Sequence, residues 1–198
     1  MKQITFKQYR TIDLTILCVL TAVFEAVASW ASDNAFQLQA MTVSVTLALT
    51  CITFMRWGVY AVLPSFIGAF VYCTAIGGSP AQYVIYCGGS LFIVRMFPLL
   101  EKITKEKIRT QFFFKLVMGC VLYIALNFGR WVCSLLFSFK FETFLTFLGT
   151  DILSLLFAII ILALAKNVDG LIEDQKSYLL RLEQERKEEQ EANLNDPF

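Results

Sequence analysis

The sequence predicts an all-α integral membrane protein: a six-transmembrane-helix bundle, both termini inside, with a charged cytoplasmic C-terminal helix or tail. Three observations predict it. Apolar runs of about 18 or more residues recur, long enough to cross a hydrocarbon core about 30 Å thick. The 198 residues are 57% hydrophobic and 17% charged, whereas soluble domains carry about 45–50% and about 25%. Lysine and arginine also collect in the connections on one side of the predicted bundle.

Residues 1–12 form a basic N-terminal segment with Lys2, Lys7 and Arg10. The first span covers 13–31 and contains LTAVFEAVASWAS. A basic start, an apolar stretch and Ala26-Val27-Ala28 resemble a signal peptide. However, Glu25 stands directly before the cleavage position and the apolar stretch is long, so an uncleaved helix is expected. The second and third spans, 38–55 and 57–75, flank a tight turn marked by Arg56. The fourth, 81–99, follows IGGSP, where Ser79 reads as an N-cap and Pro80 as the first helical residue. That start presents N–H groups and the positive end of a helix dipole to the outer side. The fifth span, 112–138, is long enough to tilt, and the sixth covers 144–165.

Arg56, the Lys102–Arg109 loop and Lys166 fall on the same side as the N-terminus, against Lys140 alone on the other. By the positive-inside rule both termini are cytoplasmic. Residues 13–165 are thus the membrane domain. Residues 1–165 carry 12 basic and 7 acidic side chains, whereas 166–198 carry 5 and 9, marking the tail as a separate water-soluble element. In it, Leu171, Tyr178, Leu179 and Leu182 form a short apolar stripe suited to a membrane face or a partner. The last dozen residues have the composition of a disordered end.

Composition also bounds the chemistry. There is no histidine, which removes the usual imidazole base and the commonest metal ligand. The six cysteines lack CxxC spacing and all lie in predicted spans, so they read as small buried apolar residues. Cys73 and Cys87 stand near the outer ends of successive spans, but nothing argues that they are bonded. No metal site and no cofactor is expected. No basic patch stands beside exposed aromatics, so no nucleic-acid role is expected.

The charges inside the spans carry the functional expectation. An ionised side chain at mid-bilayer costs about 2.5–3.5 kcal/mol, and such residues face a bundle interior or cavity. At about 1.5 Å per residue, Glu25, Arg130 and Asp151 lie about 9, 12 and 10 Å from the outer ends of their spans. Asn127 shares a helix face with Arg130, and Tyr83, Tyr86 and Gln82 lie in the first turns of the fourth span. Arg95 and Lys115 lie near inner ends and read as snorkelling anchors. One carboxylate pairs with Arg130; the other needs a proton, a water-filled pocket or a cationic ligand group. Two readings stay open: a structural Arg130–Asp151 pair with Glu25 protonated, or a ligand pocket made from Glu25, Tyr83, Tyr86, Asn127, Arg130 and Asp151. A zwitterionic or mixed-polarity ligand suits the second.

Ala22 and Ala26, with Ser29 beyond, make a small-residue stripe that admits close approach of another helix. Glu25 points about 100° away from Ala26 on a helical wheel.

Together these features resemble the S-components of energy-coupling factor (ECF) transporters, small six-helix membrane proteins with both termini inside. The resemblance covers residues 10–166 in architecture, and Ala22-Val23-Phe24-Glu25-Ala26 matches the family's AxxxA stripe on the first helix. It implies a non-enzymatic, substrate-binding subunit in a prokaryotic plasma membrane. Such a subunit takes a vitamin-like molecule near the outer face. Ala22 and Ala26 would dock on a transmembrane coupling subunit, which two ATPase subunits serve. The absence of a GxxxxGK[ST] loop accords with ATP hydrolysis lying elsewhere. The charged tail is an extension beyond the family pattern. The alternatives are a membrane scaffold or assembly subunit of an envelope complex, and a solitary small secondary transporter.

Overall fold

The computed structural model describes residues 5–35, 41–94, 112–137, 142–165, 167–168 and 170–195. The described residues contain helices and no strand. The elements are α1 (Phe6–Ala35), α2 (Thr46–Trp57), α3 (Val62–Ala75), α4 (Pro80–Ser90), α5 (Phe112–Ser134), α6 (Glu142–Thr150), α7 (Ile152–Ala165) and α8 (Gln175–Asn195). Short 3₁₀ turns follow α2 at Gly58–Ala61 and α5 at Leu135–Phe137.

Among the described residues three helical stretches are, by length and composition, long and apolar enough to cross a membrane: Phe6–Ser32, Thr46–Ala75 and Leu116–Phe137. The pair Glu142–Thr150 and Ile152–Ala165, bent by 43°, makes a fourth if it counts as one span. Within Thr46–Ala75 the chain turns back at Gly58, whose φ of 60° is left-handed backbone that glycine adopts without strain. The resulting hairpin brings Gly68 of α3 against Thr46 of α2. Its arms are 12 and 14 residues long, or about 18 and 21 Å.

The apolar faces assemble around α2. All twelve of its residues are buried, and it packs on α1, α3, α5 and α7. Leu47, Cys51, Ile52 and Met55 form the core with Met118 and Leu122 of α5 and Leu162 of α7. Elsewhere α3 packs on α1 and α4, and α5 on α4 and α6. Phe24, Val27, Phe70, Ile160 and Leu164 face outward, as apolar side chains do when the solvent is lipid.

Several sequence expectations are corrected. The second helix starts at Thr46 and not at 38: residues 41–45 are non-helical, and 36–40 lie outside the described residues. The reason is tertiary. Thr42 N–H donates to Thr150 O at 2.9 Å and Ser44 N–H to Ser154 Oγ at 3.0 Å, so the bundle takes hydrogen bonds that a helix would otherwise use. The sixth span is broken at Asp151 instead of continuous. The fourth helix starts at Ser79-Pro80 as expected, closed by a reciprocal capping box with Gln82. Its first regular stretch ends at Ser90, and residues 95–99 of the expected span, with Arg95, fall outside the described residues. The 101–110 loop, Lys140 and the side chain of Lys115 do so too.

The tail also departs from expectation. Helix α8 continues to Asn195, through the stretch whose composition reads as disorder. Asp174 caps its start by accepting from Ser177 N–H at 3.0 Å. Arg181 then faces Glu185 one turn on, at 3.7 Å, a spacing that supports isolated helices.

The beginning of the tail is tied to the end of the bundle where α1 starts. Arg56 pairs with Asp13 at 2.8 Å and donates to the carbonyls of Gly170 and Leu171 at 3.0 and 3.3 Å. Trp57 Nε1 donates to the same Asp13 carboxylate. Tyr9 OH donates to Gln175 Oε1 at 3.0 Å, and Gln175 Nε2 donates to Gly170 O at 2.7 Å. The start of α1 and the segment leading into α8 therefore meet at one end of the bundle. By sequence Arg56 marks the tight turn after the second span; in the structure it is a buried tie between α1, α2 and the tail.

Replacing Arg56 by Gln leaves Asp13 as an unpaired, mostly buried charge. Stability should fall by about 3 kcal/mol, read as a lower thermal midpoint in detergent. Adding Asp13→Asn should restore part of the loss, because the uncompensated charge is removed with it.

Candidate functional site: a polar chamber

The chamber is built on a problem of helix physics. Helix α2 is buried from its first residue, yet the first N–H groups of any helix lack intrahelical partners. Its N-cap position is Val45, which offers no side-chain oxygen. The missing acceptor comes from another helix: Glu25 of α1, 1% exposed, reaches the start of α2. Its Oε2 accepts from Val45 N–H and Thr46 N–H, both at 3.0 Å, from Ser44 Oγ at 2.9 Å and from Thr46 Oγ1 at 2.8 Å. A carboxylate here also meets the positive end of the α2 dipole. Gly68 makes the approach possible, since a Cβ there would fall onto the Thr46 side chain.

Arg130 of α5 forms a second knot. It pairs with Asp151 at the break between α6 and α7, and its Nη1 donates to Asn127 Oδ1 at 3.3 Å. The guanidinium lies over the Tyr86 ring, 4.6 Å from its centroid, a cation–π arrangement. Tyr86 in turn stacks on Tyr72 of α3 at 5.1 Å. Asp151 also accepts from Thr42 Oγ1, which ties the break to the non-helical segment before α2. Ser154 completes that tie, donating to Thr42 O at 3.3 Å. Beside it, Tyr123 OH donates to Leu148 O.

Between the two knots lies a cavity of about 30 Å³, measured as the space open to the centre of a water-sized sphere. A buried water needs about 10–15 Å³ on that measure, so the chamber has room for about two. Glu25, Asn127, Arg130, Asp151 and Tyr86 all line it. Compared with known proteins, the chain matches no family model, no curated protein and no solved structure. Its function has to be argued from the chamber and the surface.

Of the six residues expected to bind a ligand, five surround this one cavity. Tyr83 does not: its hydroxyl donates to Thr74 Oγ1 at 3.1 Å, and its ring packs on Phe70. Gln82 is occupied by the α4 cap. Residues 79–82 at the start of α4 do not line this cavity; the helix start there is that of α2, held by Glu25. Sequence reasoning left open which carboxylate pairs with Arg130; the partner is Asp151. It missed Thr42, Ser44, Thr46, Tyr72 and Ser154 altogether. The signal was present in MTVSVT, a run of hydroxyl and β-branched residues that favours extended backbone and caps over helix.

The other face of α1 follows the helical wheel. Ala26 is exposed and Ala22 half-buried, while Glu25 points inward. Ser29 is buried and leaves the outward stripe, and Trp30 faces outward, 69% exposed. The six cysteines are free thiols.

Glu25→Ala removes the acceptor of two backbone N–H groups and two hydroxyls at a buried helix end. It should cost about 3 kcal/mol or more, whereas Glu25→Gln, which keeps one acceptor oxygen, should cost less. Chemical denaturation in a fixed detergent measures both.

Proposed function

We propose that the chain is the substrate-binding membrane subunit of an ECF-type importer, with the polar chamber as the closed form of its binding site. In this reading the bundle crosses a prokaryotic plasma membrane six times. The N-terminal segment and the tail are cytoplasmic, and the chamber lies toward the outer face. A vitamin-like small molecule enters it, and Ala22 and Ala26 meet a transmembrane coupling subunit served by two ATPase subunits. The chain itself is not an enzyme.

One observation carries the proposal: charged, amide and aromatic groups from α1, α3, α4, α5 and the α6–α7 break line a single cavity, together with the non-helical Thr42 and Ser44. Irregular backbone at membrane depth is tolerated where it lines a cavity. A ligand pocket occupies about 300–1,000 Å³, so loading requires the chamber to expand. Segment 41–45 is the element able to move, because it has no helix of its own to break. Its ties to Thr150, Asp151 and Ser154 are side-chain and single backbone hydrogen bonds. Arg130 is the natural anchor for a carboxylate or phosphate on the ligand, with Asp151 released toward a donor group. Tyr72 and Tyr86 would flank a flat ring.

A second reading, the membrane scaffold, is favoured by a different observation. Each charge in the chamber already has a protein partner, and the void is water-sized. The broken helix at Asp151 is in turn a feature of secondary transporters, and uptake into liposomes holding only this chain would favour that third reading.

The separating experiment is purification from native membranes in mild detergent, followed by release and mass analysis of bound small molecules. A substrate-binding subunit yields one polar compound at near-equimolar amount, and Arg130→Gln lowers its retention at least tenfold. Ala26→Leu should leave that compound in place while reducing the co-purified ATPase. Recovery of lipid alone, with no ATPase, is the result expected of a scaffold.

A further inference from the structure

Among the described residues a second cavity lies apart from the chamber. It is a lateral groove of about 580 Å³ between α1 and α3, outside the polar core. Leu14, Cys18 and Ala22 form its α1 wall, and Leu63 and Ile67 its α3 wall. The small side chains of Cys18 and Ala22 leave the space that larger residues would fill. The groove opens sideways, where its own lining residues Val19 and Leu63 are exposed.

Its two ends differ. At the end where α1 begins, Arg10 closes the groove, its guanidinium 4.6 Å from the centroid of the Tyr60 ring. Among the described residues Arg10 meets no carboxylate: Asp13, one turn on, is committed to Arg56 and Trp57. Lys7 stands one turn before Arg10 and is exposed. At the other end the walls are apolar throughout. From Arg10 to Ala22 the groove follows α1 for twelve residues, about 18 Å, close to the depth of one leaflet of a hydrocarbon core about 30 Å thick.

We infer that this groove is a binding site for one anionic phospholipid, with an acyl chain along α1 and α3 and the phosphate on Arg10. Each part of the lipid has its match. The chain takes the apolar walls for the depth of its own leaflet. The headgroup meets a guanidinium already oriented by Tyr60, a planar fork suited to two phosphate oxygens, with Lys7 adding positive charge at the surface. A zwitterionic lipid would gain the same chain contacts without the net attraction. The inference needs the bundle to lie in a membrane and is independent of the importer reading. It adds a constraint to that reading, because a lipid on Ala22 and a coupling helix on Ala22 exclude one another.

The test is lipid retention by the full chain reconstituted in nanodiscs of phosphatidylglycerol and phosphatidylcholine in equal parts, with identical acyl chains. The protein is released into mild detergent and analysed by native mass spectrometry. Phosphatidylglycerol should remain bound in preference to phosphatidylcholine, one per chain. Arg10→Gln should reduce the preference about fivefold, the size expected for one basic residue at a headgroup. Cys18→Phe should fill the groove and reduce retention of both lipids. If Cys18→Phe fails to fold, Arg10→Gln decides alone, since Arg10 is half-buried in the first turns of α1 and its readout is the headgroup ratio. Equal retention of the two lipids, an unchanged ratio in Arg10→Gln, or a second copy of the chain in place of lipid would each overturn the inference.

Discussion

Helix α2 sits at the centre of this bundle, and its backbone ends set the terms for everything around it. A fully buried helix must find acceptors for its first N–H groups and donors for its last carbonyls, and no water is at hand to supply them. Two acidic residues of α1 hold the two ends. Glu25 accepts from the N-terminal N–H groups, and Asp13 holds Arg56 and Trp57 at the other end. The spacing is matched: twelve residues separate the acids on α1, about 18 Å, against ten or eleven between their partners on α2, about 15–17 Å. That agreement fixes the register of the first two helices and makes them antiparallel.

The chamber follows from this constraint. Because Glu25 serves as the acceptor at the start of α2, residues 41–45 stay non-helical and are hydrogen-bonded to the break at Asp151. The break supplies what that segment needs: Thr150 offers a carbonyl and Asp151 a carboxylate oxygen. Asp151 in turn positions Arg130, and Arg130 positions Tyr86. The polar groups thus form one connected chain from α1 to α5, in which each oxygen or nitrogen is held by the next. Such a network is costly to leave half-satisfied, which explains why so many charged and hydroxyl groups share so small a space.

Much of this was legible from residue types and spacing. The helical class followed from apolar run length, because backbone groups in lipid leave few other solutions. The convergence of Glu25, Arg130 and Asp151 followed from counting residues from helix ends. The start of α4 was readable in Ser79-Pro80, since its cap is local. What stayed hidden depends on partners distant in sequence. The capping of α2 by Glu25 is a contact across 20 residues, and nothing at Val45 announces it. The break at Asp151 hides within a run as apolar as any continuous span. Tyr83 and Tyr86 looked equivalent at three residues apart, yet a rotation of about 60° on the helix sends one to Phe70 and the other to Arg130. Arg56 read only as the mark of a tight turn because the tail that covers it lies more than a hundred residues further on.

The claim beneath all of this is that Glu25 supplies the acceptor for the first N–H groups of α2. Amide hydrogen exchange of Val45 and Thr46, followed by NMR in detergent micelles, tests it directly. In the wild-type chain these two amides should be protected. In Glu25→Ala, which leaves no acceptor oxygen, their exchange should rise at least tenfold while the central amides of α5 stay unchanged. Exchange at Val45 and Thr46 that is fast in the wild type, or indifferent to the substitution, would contradict it.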